Sequence, residues 1–289
     1  LSGKQSSAYW GFVRTLEEMG QRRPRIILLE NVFGFLTSRG GEDFKAAMKA
    51  LNSLGYSVDP FVINAERFVP QSRERLFVVA RMAEAAEGDG LLAEDPIFFQ
   101  DEIRPKRLAA FILDNPDILW SLRTLPPLPK RRFDLDLLIE QLPDSDPVWW
   151  SRERADYLLK QMSPMHRSMA EDMIVGKTTS YGTVFRRMRA GKSTAEMRCD
   201  GIAGCLRTPK GGSARQILFV AGKGRYRVRL LTPREHARLM GADEFRIECP
   251  ANQALFGFGD AVCVPVVEWI AKNYLNSLFA EISAKTIAA

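Results

Sequence analysis

The chain has 289 residues, of which 46% are hydrophobic and 26% charged, with a formal net charge of +6. That is enough apolar material for one large domain or two, and it excludes a low-complexity chain. The basic excess, clustered at Arg22-Arg23, Lys130-Arg131-Arg132, Arg186-Arg187 and Lys223 to Arg229, suits a polyanionic partner or an ordinary solvated surface.

No stretch approaches the roughly 20 apolar residues of a membrane span, and no signal peptide is recognisable, so a cytoplasmic protein is expected. Cys199, Cys205, Cys249 and Cys263 lack any close C-x-x-C spacing, and the only histidines are His166 and His236. Neither a metal site nor a disulfide framework is expected. Both histidines suit surface or capping roles, which leaves acid–base chemistry to carboxylates or thiols.

From Ala8 to Met19 the apolar positions Tyr9, Phe12, Val13, Leu16 and Met19 recur at helical spacing. Arg25 to Val32 follows, a run of branched residues that stops on Glu30-Asn31 and predicts a buried parallel strand, covered by helices on both faces, with an acid at its carboxyl end. Open α/β sheets place their sites at such ends. Glu42 to Leu54 is again helical, with Gly55 as its stop, and Tyr56 to Asn64 and Arg75 to Arg81 read as two strands. The order predicts part of a doubly wound α/β sheet.

After Arg81 prolines interrupt every short helical run, and Leu122 to Lys130 reads as a turn or linker. Trp149-Trp150, followed by Tyr157, Leu158 and Met162, suggests an amphipathic helix whose aromatics are core rather than a base-stacking platform. Thr208 to Arg215 is a basic, glycine-rich loop between the apolar runs 202–206 and 217–220. It suits contacts to phosphates or base edges, or a plain hairpin connection. Thr232-Pro-Arg-Glu predicts an N-cap, a proline at the first helical position and an acid in the first turn of a helix stopped by Gly241. A last helix over 264–279 places Val267, Ile270, Ala271, Tyr274, Leu275 and Leu278 on one face.

Four patterns stand in order: Glu30-Asn31-Val32; Pro70-Gln-Ser-Arg-Glu-Arg75; Leu231 to Gly241; and Phe256-Gly-Phe-Gly-Asp-Ala-Val-Cys-Val-Pro-Val266. Together they resemble the C-terminal motifs of the DNA (cytosine-5) methyltransferases, in order and in the long insertion between the second and third. The resemblance covers nearly the whole chain. It implies a fold class of α/β, the C-terminal part of a Rossmann-like S-adenosylmethionine-dependent methyltransferase sheet, plus a smaller mixed target-recognition domain. Residues 1–81 would then be a partial catalytic domain, 82–229 the recognition region, and 230–289 helices returning to the catalytic domain.

By the same resemblance Glu30 holds the target cytosine at N3, where electron density gathers when a nucleophile adds to C6. Arg73 and Arg75 would contact the flipped base near O2, and Gln71 the DNA. Asp260 and Ala261 would bind S-adenosylmethionine, in a short turn before the last helix, with Asp260 where the family has Asn. Cys205 and Leu206 stand where the family has a Thr-Leu pair, and with Gly211, Gly212 and Arg215 they are expected to touch DNA. The helix at Leu231 to Gly241 is structural in the family, so Arg234 and Glu235 are assigned no chemistry.

The family's Pro-Cys nucleophile and Phe-x-Gly-x-Gly cofactor loop are not in these 289 residues. Leu1 is expected to lie just past the missing nucleophile, and the edge of the strand at Ile26 to Leu29 to be unpaired and apolar, so that this chain alone is poorly soluble or weakly folded in its first 80 residues. The expected function is transfer of a methyl group from S-adenosylmethionine to C5 of a cytosine flipped out of double-stranded DNA, by a prokaryotic or phage-encoded modification enzyme completed by its N-terminal half. A catalytically inert DNA-recognition subunit, or a remnant, is the alternative.

Overall fold

A computed structural model describes residues 7–82, 102–208 and 215–288. Two compact units divide the chain: Leu1–Asn64 with Glu74–Leu128, and Ala65–Arg73 with Pro129–Ala289.

The first unit begins with α1 (Ser7–Met19), followed by β1 (Ile26–Val32), α2 (Glu42–Ser53), β2 (Tyr56–Asn64), β3 (Glu74–Met82) and α3 (Lys106–Asp114). The helical spacing of α1 carries Val13 and Leu16 into the core, and the Tyr9 hydroxyl donates to the Ala47 carbonyl of α2 at 2.6 Å. Burial pushes that phenol well above its usual range. Helix α2 packs Phe44, Ala47, Met48 and Leu51, and ends before Gly55, whose φ of +86° favours glycine.

The strands form a three-stranded sheet in the order β1-β3-β2. β3 pairs antiparallel with both neighbours. The expectation of a parallel strand with both faces covered is corrected here. β1 does run parallel to β2, as its connection through α2 predicts, but β3 lies between them. Of β1 only Ile27 is buried; Ile26, Leu28, Leu29 and Glu30 are half-buried, and Asn31 and Val32 exposed. Alternation gives the reason: Ile27 and Leu29 point into the helix-covered core, and Ile26, Leu28 and Glu30 point the other way. Among the described residues β1 pairs only with β3.

β2 is buried at every position from Tyr56 to Ile63. Its outer edge is covered where the Val58 amide donates to Leu119 at 2.9 Å and the Val62 amide to Ile103 at 2.7 Å. Pro60, between them, has its missing N–H on that same outer side and costs the β2–β3 ladder nothing. Asp59 accepts from the Arg104 guanidinium at 2.6 Å and from the Arg123 amide at 2.9 Å, with Asp59 and Arg104 both fully buried. Leu125 and Leu128, expected in a linker, are core residues, 3% and 5% exposed.

The second unit contains α4 (Arg152–Lys160), α5 (Pro164–Val175), β4 (Ser180–Arg189), β5 (Lys192–Arg198), β6 (Ile217–Gly222), β7 (Arg225–Leu230), α6 (Pro233–Leu239), α7 (Ala251–Asp260), α8 (Val264–Ile270) and α9 (Asn276–Ala288). Its four-stranded antiparallel sheet has the order β5-β4-β6-β7. Leu158, Leu159, Ala170 and Met173 of α4 and α5 cover one face, on Val184, Ala195, Ile217 and Phe219. Trp150 packs on that core, and Arg154 lies 3.9 Å over its ring; Arg227 lies 4.4 Å over Trp149. Tyr157, expected on the buried face of α4, is exposed. The run 202–206 does not form a hairpin with β6; Ala203 pairs instead with Gln71.

Helix α6 has the predicted start: Thr232 caps it and Glu235 completes the capping box. Of the two residues expected in the short turn before the last helix, Asp260 is the last residue of α7 and Ala261 begins the turn, which runs to Cys263. In the last helical run the buried positions are Val266, Ile270, Tyr274 and Leu278, not Val267. A spacing of four outruns an α-helical turn, and the π-helical turn at Ala271–Leu275 takes up the difference. By length and composition 251–284 could cross a membrane, contrary to expectation. The run is broken at 261–263, however, and buries one apolar face, as a core helix does.

Candidate functional site

In the first unit the candidate acid sits at the carboxyl end of β1. Glu30 is opposite Phe77 and Val32 is opposite Arg75, so Glu30 and Arg75 are diagonal neighbours on one face of the sheet. Arg75 Nε lies 2.8 Å from Glu30 Oε1, with side chains 15% and 23% exposed. The Arg75 Nη1 donates to the Glu74 carbonyl at 2.9 Å, which fixes the plane of the guanidinium. The result is a half-buried carboxylate beside Arg75 at a strand end, able to hold a ring nitrogen and to support charge beside it. Asn31 turns inward on its own backbone, its Oδ1 accepting from the Val32 amide at 2.8 Å.

In the second unit the residues 70–73 are a hub. Ala203 donates to the Pro70 carbonyl at 2.8 Å and accepts from the Ser72 amide at 2.9 Å. Gln71 is fully buried; its Nε2 donates to the Leu239 carbonyl at 2.7 Å and its Oε1 accepts from the Leu206 amide at 3.1 Å. An amide with both ends engaged inside the protein positions its neighbours, and the Gln71 side chain, expected at the DNA, spends both ends on the protein. Leu206 is 1% exposed and belongs to the same buried tie.

Arg73 was expected at the base. It is 3% exposed instead, and its terminal nitrogens donate to three carbonyls: Leu206 at 3.1 Å, Gly259 at 3.4 Å and Ala261 at 2.7 Å. A buried guanidinium must be matched by acceptors, and the ends of a loop and of helix α7 supply them. The Cys205 thiol stands 3.8 Å from Arg73 Nη1 and is half-buried. Asp260 is exposed at the end of α7, while the carbonyl of Ala261 is taken by Arg73. Arg215 Nη2 donates to Asn252 Oδ1 of α7 at 2.6 Å. Gly211 and Gly212 lie outside the described residues.

The structure thus brings Glu30 and Arg75 together in one unit, and Gln71, Arg73, Cys205, Leu206 and Ala261 in the other. It also contains a groove of about 390 Å³ lined by Ser72, His166, Arg187, Arg198, Cys205 and Arg207. The period-two alternation along β4 was the available sequence signal: it places Arg187 on the same face as Phe185, over whose ring it lies at 4.8 Å. His166 Nδ1 accepts from the Met197 amide at 3.3 Å. His236, expected at a surface or cap, is buried, and burial draws its pKa down to about 4. Burial likewise pushes the Cys263 thiol up to about 11, away from nucleophilic duty.

The sequence matches the family described as C-5 cytosine-specific DNA methylase over residues 2–276. It is 25% identical to the Type II methyltransferase M.HhaI of Haemophilus parahaemolyticus, covering 96% of this chain and 72% of that one. It is 27% identical to a DNA-cytosine methyltransferase of Escherichia coli K12, covering 93% of this chain and 52% of that one, so it spans about half of that relative's length. A solved structure of the S. pombe Dnmt2 methyltransferase superposes with a TM-score of 0.52 over 94% of this chain and 72% of that chain, at 17% identity, which shows the methyltransferase fold.

Proposed function

Because this chain belongs to the C-5 cytosine-specific DNA methylase family, we propose that it supplies the base-holding acid and the target-recognition region of an enzyme that methylates C5 of a cytosine in double-stranded DNA. The carrying observation is the Glu30–Arg75 pair at the end of β1. When a thiolate adds to C6 of cytosine, density moves into the ring toward N3 and O2. Glu30 holds the proton at N3, and Arg75, on the same sheet face, supports the charge at O2. Extruding the base into such a site is what chemistry on a duplex requires.

Enzymes of this family use S-adenosylmethionine, which supplies the electrophilic methyl group. The donor set at 260–261 fits its amino-acid end: the exposed Asp260 carboxylate suits an ammonium, and Arg73 already holds the Ala261 carbonyl. In this reading Arg73 and Gln71 order the site without touching the base. Residues 129–229, in the second unit, read the target sequence, with Arg187, Arg198, Arg207 and Arg215 at the DNA. The nucleophilic cysteine and the glycine-rich cofactor loop come from outside these residues, in the same chain or in a separate subunit. None of the four cysteines here belongs to the unit that holds Glu30.

The test is a methyl-transfer assay with labelled S-adenosylmethionine and duplex DNA. The chain is measured alone, joined to an N-terminal half carrying the Pro-Cys segment, and joined with Glu30→Gln. We expect activity only in the joined wild type, and a loss of about 10²–10⁴-fold for Glu30→Gln. Full activity of the joined Glu30→Gln enzyme removes Glu30 from the chemistry. An inert joined wild type favours the alternative, a recognition subunit or remnant.

A further inference from the structure

Residues 207–208 and 215 bracket the glycine-rich recognition segment, and each of these ends rests on helix α7. A Cβ on Gly259 would stand 2.5 Å from the Thr208 amide nitrogen and 2.6 Å from the Arg207 carbonyl carbon, so the last turn of α7 lies directly on the chain leading into the segment. At the other end Arg215 donates to Asn252 in the first turn of α7, at 2.6 Å.

Leu206, just before the segment, is held on both sides of its residue. Gln71 accepts from its amide at 3.1 Å and Arg73 donates to its carbonyl at 3.1 Å. The same guanidinium donates to the carbonyls of Gly259 and Ala261, the residues flanking Asp260. One buried cation therefore serves the chain leading into the recognition segment and the turn assigned to the cofactor. A shift of Leu206 that lengthens its bond to Arg73 also releases carbonyls at the C-terminus of α7, which have no helical partner. Ordering either end orders the other, and two ligands that each order their own end then bind cooperatively with no large structural change.

We propose that Arg73 is a positioning residue that couples DNA held by the segment's ends, Arg207 to Thr208 and Arg215, to cofactor bound at Asp260 and Ala261, so that each ligand raises the affinity of the other by the same factor. This rests on the function proposed above, because it needs both ligands, and it goes beyond it by joining their sites through Leu206, Arg73 and α7.

The complete enzyme is titrated with S-adenosylhomocysteine, the unreactive product form of the cofactor, without and with a duplex selected for binding from a pool with a randomised centre. The converse titration uses DNA without and with S-adenosylhomocysteine. Both ratios are expected to agree at about 5–150-fold, the usual range of such coupling. Arg73→Lys, which cannot reach three carbonyls as a fork does, should bring the ratio toward one. Asn252→Ala, which removes only the hold on Arg215, should lower the ratio while the affinity for S-adenosylhomocysteine without DNA stays that of the wild type. A purely structural Arg73 would lower both affinities and leave their ratio unchanged, which overturns the proposal, and Asn252→Ala tests the link if Arg73→Lys does not fold. A wild-type ratio of one, with both ligands bound, overturns the coupling and leaves the proposed function standing. Failure of the complete enzyme to bind either ligand overturns both.

Discussion

Arg229 and Glu235 meet where no water reaches: Nη2 lies 2.6 Å from Oε1, and both side chains are 0% exposed. Arg229 also donates from Nη1 to Oε2 at 2.7 Å, and the carboxylate accepts the amides of Thr232 at 2.8 Å and Glu140 at 2.9 Å. One carboxylate therefore joins strand β7, the start of helix α6 and the segment at Glu140. The assignment of Glu235 to structure rather than chemistry is the one its surroundings support.

Removing one partner of such a pair strands the other charge. Glu235→Ala is expected to lower stability by about 3–5 kcal/mol, read as a fall in the urea midpoint of the second unit. The double change Arg229→Met with Glu235→Leu should recover much of that loss, because no buried charge remains. It should not recover all of it, since the Thr232 and Glu140 amides lose their acceptor at about 1–3 kcal/mol each. A double variant less stable than Glu235→Ala would show the pair itself to be the stabilising element.

His236 makes stability depend on acid. Burial draws its pKa from 6.5 to about 4, against smaller opposing effects of the Thr232 carbonyl and Glu235, with Arg215 acting in the same direction as burial. The unfolded chain therefore binds more protons than the folded one between these values. Stability from this group is fully present above pH 6.5 and is lost as the pH falls toward 4, by roughly 3 kcal/mol in total. Urea unfolding across this window should show the slope, and His236→Asn should flatten it. An unchanged slope in the variant would assign the acid sensitivity to other groups.

The thiols should separate by reactivity. Cys249 is exposed, whereas Cys263 is buried with its pKa pushed up to about 11. At pH 8 iodoacetamide is expected to label Cys249 in the folded protein and to reach Cys263 only after unfolding, as peptide mass mapping would detect. Rapid labelling of Cys263 would reopen it as a nucleophile and weaken the case for a cysteine supplied from elsewhere.

Local features were legible because local chemistry decides them. Thr232, Pro233 and Glu235 announce a capped helix, and Gly55 a helix stop. The candidate acid at the end of β1 was also readable, since Glu30 ends a run of branched residues. From the residues alone its pairing with Arg75 was not, and only the family resemblance brought both to one base, because the register of β1 on β3 is what makes two residues 45 positions apart diagonal neighbours.

The sequence by itself determined the family, the order of the elements and the residue types at the strand end, all of which are written in short patterns with fixed spacing. The tertiary structure alone decided the neighbours. β3 lies between β1 and β2, so β1 is antiparallel to its partner. Arg73 faces three carbonyls, because a guanidinium enclosed by residues 206, 259 and 261 bonds the acceptors that surround it. Gln71 is an internal tie for the same reason. Which polar groups a side chain meets is fixed by contacts between distant parts of the chain, and burial then obliges it to bond with those groups and no others.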